Sequence, residues 1–148
     1  MEYNNILVPL DGSKFSRKAV LVAANLATIA KTNLLLFAVV EPITSQLEGY
    51  AEFVSGADLY EQIRTELQAM LDEEAERLAA GGYLVSTKLE EGFANEAIVE
   101  TCESEAIDLV VMTTHGRKGV AHWFMGSVTE KVVRCAPCSV LVVRQPSS

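Results

Sequence analysis

Apolar residues along this chain follow two alternating rhythms. Short runs rich in Val, Ile and Leu predict strands at Asn5–Leu10, Leu34–Val40, Tyr83–Leu89, Asp108–Thr113 and Val140–Val143. Between them, apolar positions recur at helical spacing. Phe15, Ala19, Val22, Ala23, Leu26 and Ala30 line one face of a first helix, and Leu59, Ile63, Leu67, Met70, Leu71 and Leu78 line a second. Ala97, Ile98 and Cys102 mark a short third helix, and a fourth opens at Ser127. The punctuation fits this reading. Asp11-Gly12-Ser13 is a turn with Ser13 as the expected N-cap, and Gly81-Gly82 stops the second helix. Asp58-Leu59-Tyr60-Glu61 and Ser127-Val128-Thr129-Glu130 have the form of capping boxes.

Strand and helix alternate throughout, so the pattern predicts an α/β fold: a single doubly wound domain with helices on both faces of a parallel sheet. The runs at Ile6-Leu7-Val8, Leu34–Val40 and Leu109–Met112 are continuously apolar and are expected at its centre. The third strand alternates more and is expected at an edge. Ligands of such sheets sit beyond the strand C-termini, where the strand order reverses. If the first and fourth strands are neighbours, Asp11 and the segment from Thr113 to Gly119 meet at one crevice. The connection from Glu41 to Ala57 is long for a compact domain and reads as a functional loop.

Composition narrows the partners. Twenty acidic residues against twelve basic ones give a formal charge of −8, which repels nucleic acid and anionic membrane as general partners. No basic segment followed by a long apolar run marks a signal peptide. The apolar run Leu34–Val40 is far too short to span a bilayer. Three cysteines do not make a disulfide framework, so a reducing cytoplasm is the expected compartment. The acidic stretch Asp72-Glu73-Glu74 reads as the wet face of its helix, with Glu73 four residues before Arg77 as a supporting pair.

The candidate chemistry lies after the fourth strand. Met112-Thr113-Thr114-His115-Gly116-Arg117-Lys118-Gly119 is a basic, glycine-punctuated loop that leads to Gly126-Ser127 at the start of a helix. Glycines let backbone N–H groups approach an anion closely, and a helix N-terminus favours negative charge, so the segment reads as a phosphate cradle. Asp11 has two readings that can coexist: it shapes the turn, or it accepts from a ligand hydroxyl. Ser127 is expected to cap its helix whatever else it does. Cys135-Ala136-Pro137-Cys138 has the look of a redox or zinc motif. Its place at a helix C-terminus disfavours the thiolate, and no second pair completes four zinc ligands, so turn or buried cysteines are expected.

With these residues in place, the chain resembles the universal stress protein family. The resemblance rests on Ile6-Leu7-Val8-Pro9-Leu10-Asp11-Gly12-Ser13, on Asp108-Leu109-Val110-Val111-Met112, and on Thr114-His115-Gly116-Arg117-Lys118-Gly119. It also rests on Gly126-Ser127-Val128-Thr129-Glu130-Lys131-Val132 and on Ala136-Pro137-Cys138-Ser139-Val140-Leu141-Val142-Val143. It implies a five-stranded parallel sheet of order 3-2-1-4-5 with four helices, of the adenine nucleotide alpha hydrolase-like type. It also implies homodimers paired through the last strand, Val140–Val143. Nucleotide-binding members carry a glycine, two residues, a second glycine, nine residues, and a glycine followed by Ser or Thr. Gly116, Gly126 and Ser127 match that pattern, while Thr113 stands at the first glycine. Threonine there restricts the backbone and adds bulk, or else its hydroxyl donates to the ligand.

For a bound ATP with Mg²⁺, or AMP, the resemblance assigns Pro9, Leu10 and Asp11 to the adenine and ribose side and Val39 to adenine. Met112 and Thr113 form the floor. His115, Gly116, Arg117 and Gly119 surround the phosphates, and Gly126, Ser127, Val128 and Thr129 hold them at the last helix's N-terminus. The function implied is an ATP-binding regulatory or sensor module in a stress response, with at most slow hydrolysis or autophosphorylation. The rival reading is a module that binds no nucleotide and acts through homodimer and other protein contacts. An enzyme on this fold is the weakest reading, because the first strand lacks the glycine fingerprint of dinucleotide binders.

Overall fold

The computed structural model describes residues 2–42, 56–114 and 126–144. In chain order the elements are β1 (Asn5–Pro9), α1 (Arg17–Leu26), β2 (Asn33–Val40), α2 (Gly56–Ala80), β3 (Leu84–Glu91), α3 (Ala94–Ser104), β4 (Leu109–Thr113), α4 (Ser127–Cys135) and β5 (Ser139–Val143). The strands form one parallel sheet of order β3-β2-β1-β4-β5, as the resemblance implied. The three continuously apolar strands occupy its centre.

Strand alternation divides the core into two layers. Ile6, Val8, Leu34, Leu36, Leu109 and Val111 pack beneath α1 and α2, meeting Ala19, Val20 and Ala23 of the first and Leu67, Met70, Leu71 and Leu78 of the second. Leu7, Phe37, Val110 and Met112 pack on the other face with Ala97, Ile98 and Cys102 of α3 and Val132 of α4.

Several expected boundaries move for local physical reasons. Ser13 does not cap α1. Its Oγ accepts from Ser16 N–H (3.1 Å) and its carbonyl accepts from Ser16 Oγ (2.8 Å), closing a separate turn before the helix starts at Arg17. Phe15 and Ala30 therefore lie outside α1, and Leu26 is exposed, while Val20 takes a core position instead. Asp58 lies inside the first turn of α2, which begins at Gly56, so it is not an N-cap. At the other end, Gly82 takes φ +89°, with Gly82 N–H on the Ala79 carbonyl and Tyr83 N–H on the Leu78 carbonyl. This is the paired-bond ending that glycine allows.

The acidic stretch in α2 is not uniformly wet. Glu74 falls in register with Leu67, Met70, Leu71 and Leu78 and is buried, whereas Glu73 stays exposed. Arg17 Nε at 3.6 Å and Arg77 Nη1 at 3.4 Å supply its counter-charge, tying α2 to the first turn of α1. The expected Glu73–Arg77 pair is also present at 3.6 Å.

Asp108 does not belong to β4 but pins it. Its carboxylate accepts the main-chain N–H groups of Asn4 (2.7 Å) and Asn5 (3.1 Å), while its own N–H donates to the Asn5 carbonyl (3.0 Å). β1 and β4 are thus clamped at the sheet's N-terminal edge. Their ladder, Ile6↔Leu109 and Leu7↔Val110, ends there, although β1 continues to Pro9 and β4 to Thr113. Charge-assisted bonds of this kind contribute about 1.5–3 kcal/mol. Asp108→Ala is expected to lower unfolding stability in urea by about 2 kcal/mol, while Asp108→Asn, which keeps one acceptor, loses less.

Candidate functional site

β1 is the point where the strand order reverses. The β1–α1–β2–α2–β3 half of the chain winds outward on one side of it, and α3 carries the chain back to β4 on the other. The β1–β4 ladder stops at Leu7↔Val110 while each strand keeps its outer partner. β1 stays paired to β2 through Pro9↔Phe37, and β4 to β5 through Thr113↔Val143. The C-terminal ends of β1 and β4 thus flank the reversal point, where ligands of such sheets sit.

Asp11 stands at the mouth of β1. Its Oδ1 accepts from Ser13 N–H at 2.9 Å, making a local turn whose middle residue, Gly12, takes φ +92°. Oδ2 has no hydrogen-bond partner among the described residues, so the turn uses only half of the carboxylate. Leu10 sends its side chain into the core beneath α1, and its N–H donates to the Phe37 carbonyl at 2.7 Å. Its contribution to a ligand is limited to main chain.

Across the crevice, two hydrogen bonds fix the start of α4 against the end of β4. Gly126 N–H donates to the Thr114 carbonyl at 2.7 Å, and Thr129 Oγ1 donates to the Thr113 carbonyl at 2.8 Å in a fully buried position. Thr114 N–H in turn donates to the Val143 carbonyl. Gly126, not Ser127, is the N-cap, and no side chain caps the helix. The expected capping box is therefore not formed, and Glu130 pairs with Arg134 at 2.6 Å instead. The first intrahelical bond runs from Glu130 N–H to the Gly126 carbonyl. The N–H groups of Ser127, Val128 and Thr129 precede it and have no helical acceptor, which is the ordinary condition of a helix start and suits an anion.

The faces sort the remaining candidates. Val39 and Met112 belong to the layer under α3 and α4, and by alternation with Leu7 so does Pro9. Thr113 pairs with Val143, which packs under α1 and α2, so its side chain falls on that opposite face, 7 % exposed. The threonine at the expected glycine position is thus held in regular strand. Its carbonyl, not its side chain, makes the recorded contact with α4. Thr129 likewise offers a ligand only its N–H, since its hydroxyl is committed to Thr113. His115, Gly116, Arg117 and Gly119 lie outside the described residues.

Residue-type reasoning missed Thr114. It is buried at the junction of β4, β5 and α4, and its Oγ1 has no hydrogen-bond partner among the described residues. A buried hydroxyl without a partner is costly, and next to free helix N–H groups it marks a place for a further polar group. The only sequence signal was its position directly after the strand.

A doubly wound parallel sheet whose order reverses at β1, with an open helix start beside the end of β4, defines the class of α/β fold. The chain belongs to the universal stress protein family, whose profile matches residues 2–144. It is 33% identical to universal stress protein MJ0531 of Methanocaldococcus jannaschii over 97% of this chain and 84% of that one. The solved structure of MJ0577, a universal stress protein of the same organism, superposes with a TM-score of 0.84 at 26% identity over the full length of both chains. A universal stress protein in complex with cAMP superposes with a TM-score of 0.69 at 26% identity, covering 97% of this chain and 98% of the other. No helix among the described residues is long and apolar enough to cross a membrane.

The Thr129 hydroxyl is the tie most open to test. Thr129→Val is expected to cost about 1–2 kcal/mol of stability in chemical denaturation, because the Thr113 carbonyl loses its buried donor. Thr129→Ser, which keeps the hydroxyl, is expected to retain most of it.

Proposed function

We propose that this protein is a cytoplasmic, ATP-binding regulatory or sensor module of the stress response, taking ATP with Mg²⁺, or AMP, in the crevice between β1 and β4. The observation that carries this reading is the open start of α4, held at the end of β4 by the Gly126–Thr114 and Thr129–Thr113 bonds. The donor set suits a nucleotide. Pro9, Val39 and Met112 present apolar surface on the α4 side, Asp11 retains a carboxylate oxygen for a ribose hydroxyl, and the N–H groups of Ser127–Thr129 suit phosphate. Gly116, Arg117 and Gly119 would add backbone donors and a positive charge. The family structure in complex with cAMP supports a nucleotide as the class of ligand.

Thermal melting with and without Mg-ATP, AMP and cAMP tests the proposal. At about a hundredfold excess over Kd, binding to the native state contributes about 2.7 kcal/mol, which raises the midpoint by roughly 5–10 °C. No shift with any of the three at millimolar concentration overturns it. Gly126→Val is expected to abolish the shift by displacing the helix start. Because Thr113 faces α1, Thr113→Gly is expected to leave the ligand-induced shift within about 2 °C of that of the unaltered protein. A markedly larger shift would show that threonine bulk limits binding.

A second, compatible proposal concerns assembly. β5 is the sheet edge beside β4, and Leu141 on it is 38 % exposed. An apolar edge strand is suited to pairing with a second copy. Leu141→Lys is expected to shift a homodimer toward monomer in light scattering. An unchanged mass would show that the contact lies elsewhere.

A further inference from the structure

Among the described residues Glu74 is the one buried charge, 1 % exposed. Its two oxygens are compensated from different elements. Arg77, three residues further along α2, reaches Oε2 through Nη1 at 3.4 Å. Oε1 makes no hydrogen bond among the described residues and lies 3.6 Å from Nε of Arg17, the first residue of α1. The same guanidinium reaches exposed Glu73 through Nη2 at 3.5 Å. A buried carboxylate without its counter-charge is costly, so Glu74 holds Arg17 in place from the interior. The dipole of α1 disfavours a cation in its first turn, so the placement of Arg17 is set by α2 and not by its own helix.

Arg17 is also where the Asp11 turn ends. Ser13 N–H donates to Asp11 Oδ1 (2.9 Å), Ser16 N–H to Ser13 Oγ (3.1 Å), and Ser16 Oγ to the Ser13 carbonyl (2.8 Å). Ser16 is itself buried, and its carbonyl accepts Ala19 N–H at 3.1 Å, which joins the turn to the start of α1. At the other end the turn leaves β1 after Leu10, whose N–H is fixed to the Phe37 carbonyl. The turn is therefore strung between two supports, the sheet and the Arg17–Glu74 pair. We propose that Arg17 and Glu74 are positioning residues for Asp11: the buried ion pair anchors the far end of the Asp11 turn and so sets where its carboxylate stands. The consequence for ligand affinity rests on the nucleotide reading above, whereas the anchor itself does not.

Arg77 supplies an internal control. Both arginines neutralise Glu74, but Arg77 lies on the same helix as Glu74 and connects it to nothing else, while Arg17 connects it to α1. Loss of either removes counter-charge from the same buried carboxylate; only loss of Arg17 releases the turn. Lysine at position 17 keeps the charge, yet one ammonium replaces a guanidinium that spans two carboxylates, so it restores the anchor in part.

The experiment measures amide hydrogen exchange at Ser13 and Ser16 by NMR on the full chain without ligand, and AMP affinity by calorimetry on the same variants. Arg17→Ala is expected to speed exchange of both N–H groups about tenfold and to weaken AMP about fivefold, while Arg77→Ala leaves both within about twofold of the unaltered protein. Arg17→Lys is expected to bring exchange back to within about threefold. If Arg17→Ala does not fold, the double variant Arg17→Ala with Glu74→Met, which removes the buried charge together with its partner, is expected to fold and to show the same fast exchange. Equal effects of the two alanine variants on Ser13 and Ser16, or no effect of either, would overturn the proposal and reduce the pair to a stabilising contact. Fast exchange with unchanged AMP affinity supports the anchor and overturns the placement of Asp11 beside the ligand. No AMP binding by the unaltered protein counts against the nucleotide reading alone, and the exchange rates still decide the anchor.

Discussion

The junction between β1 and β4 is the constraint on which the rest of this molecule depends. At one end Asp108 accepts the N–H groups of Asn4 and Asn5, and the strands are held in register. At the other end each strand follows its outer neighbour, and the ladder between them stops after Leu7↔Val110. This end of the seam lies where the chain reverses its winding direction. The candidate site is therefore a product of topology before it is a product of any particular side chain.

What the site uses is mostly main chain. The free N–H groups at the start of α4 are set by a hydrogen bond from Gly126 and by a threonine hydroxyl that reaches a strand carbonyl. Such groups present a fixed positive potential with little reorganisation when an anion arrives. Side chains refine this frame. Asp11 holds its own turn through one carboxylate oxygen, and Val39 and Met112 belong to the apolar layer under α3 and α4. The same frame explains why threonine is accommodated at position 113, since β-strand alternation carries its side chain to the far face.

Much of this could be read from residue order, and the misreadings share a cause. The strands were legible because Ile6-Leu7-Val8, Leu34–Val40 and Leu109–Met112 have no competing helical period. Gly126 was legible because its spacing from Gly116 is distinctive. Helix starts were misplaced wherever Ser or Asp stood near the boundary. Ser13, Asp58 and Ser127 have the side chains of caps, yet Ser13 is spent on a preceding turn and the other two lie inside their helices. Glu74 was hidden by its charged neighbours, although its spacing from Leu67, Leu71 and Leu78 is that of the core stripe. Asp108 looked like the polar start of a strand and is instead the clamp between two. The burial of Thr114 depends on elements meeting in space, which one-dimensional patterns do not report.

The bond between Gly126 and Thr114 has a consequence for how this protein can vary. Thr114 follows β4 and Gly126 caps α4, and these two residues touch through their main chains. The excursion between them begins and ends at one point, so its length is decoupled from the geometry of the scaffold. Doubling such a segment costs only about 0.6 kcal/mol of closure entropy. Substitutions between these two residues can therefore leave β4, α4 and β5 in registration. The position is one at which the surface can be rewritten without renegotiating the fold.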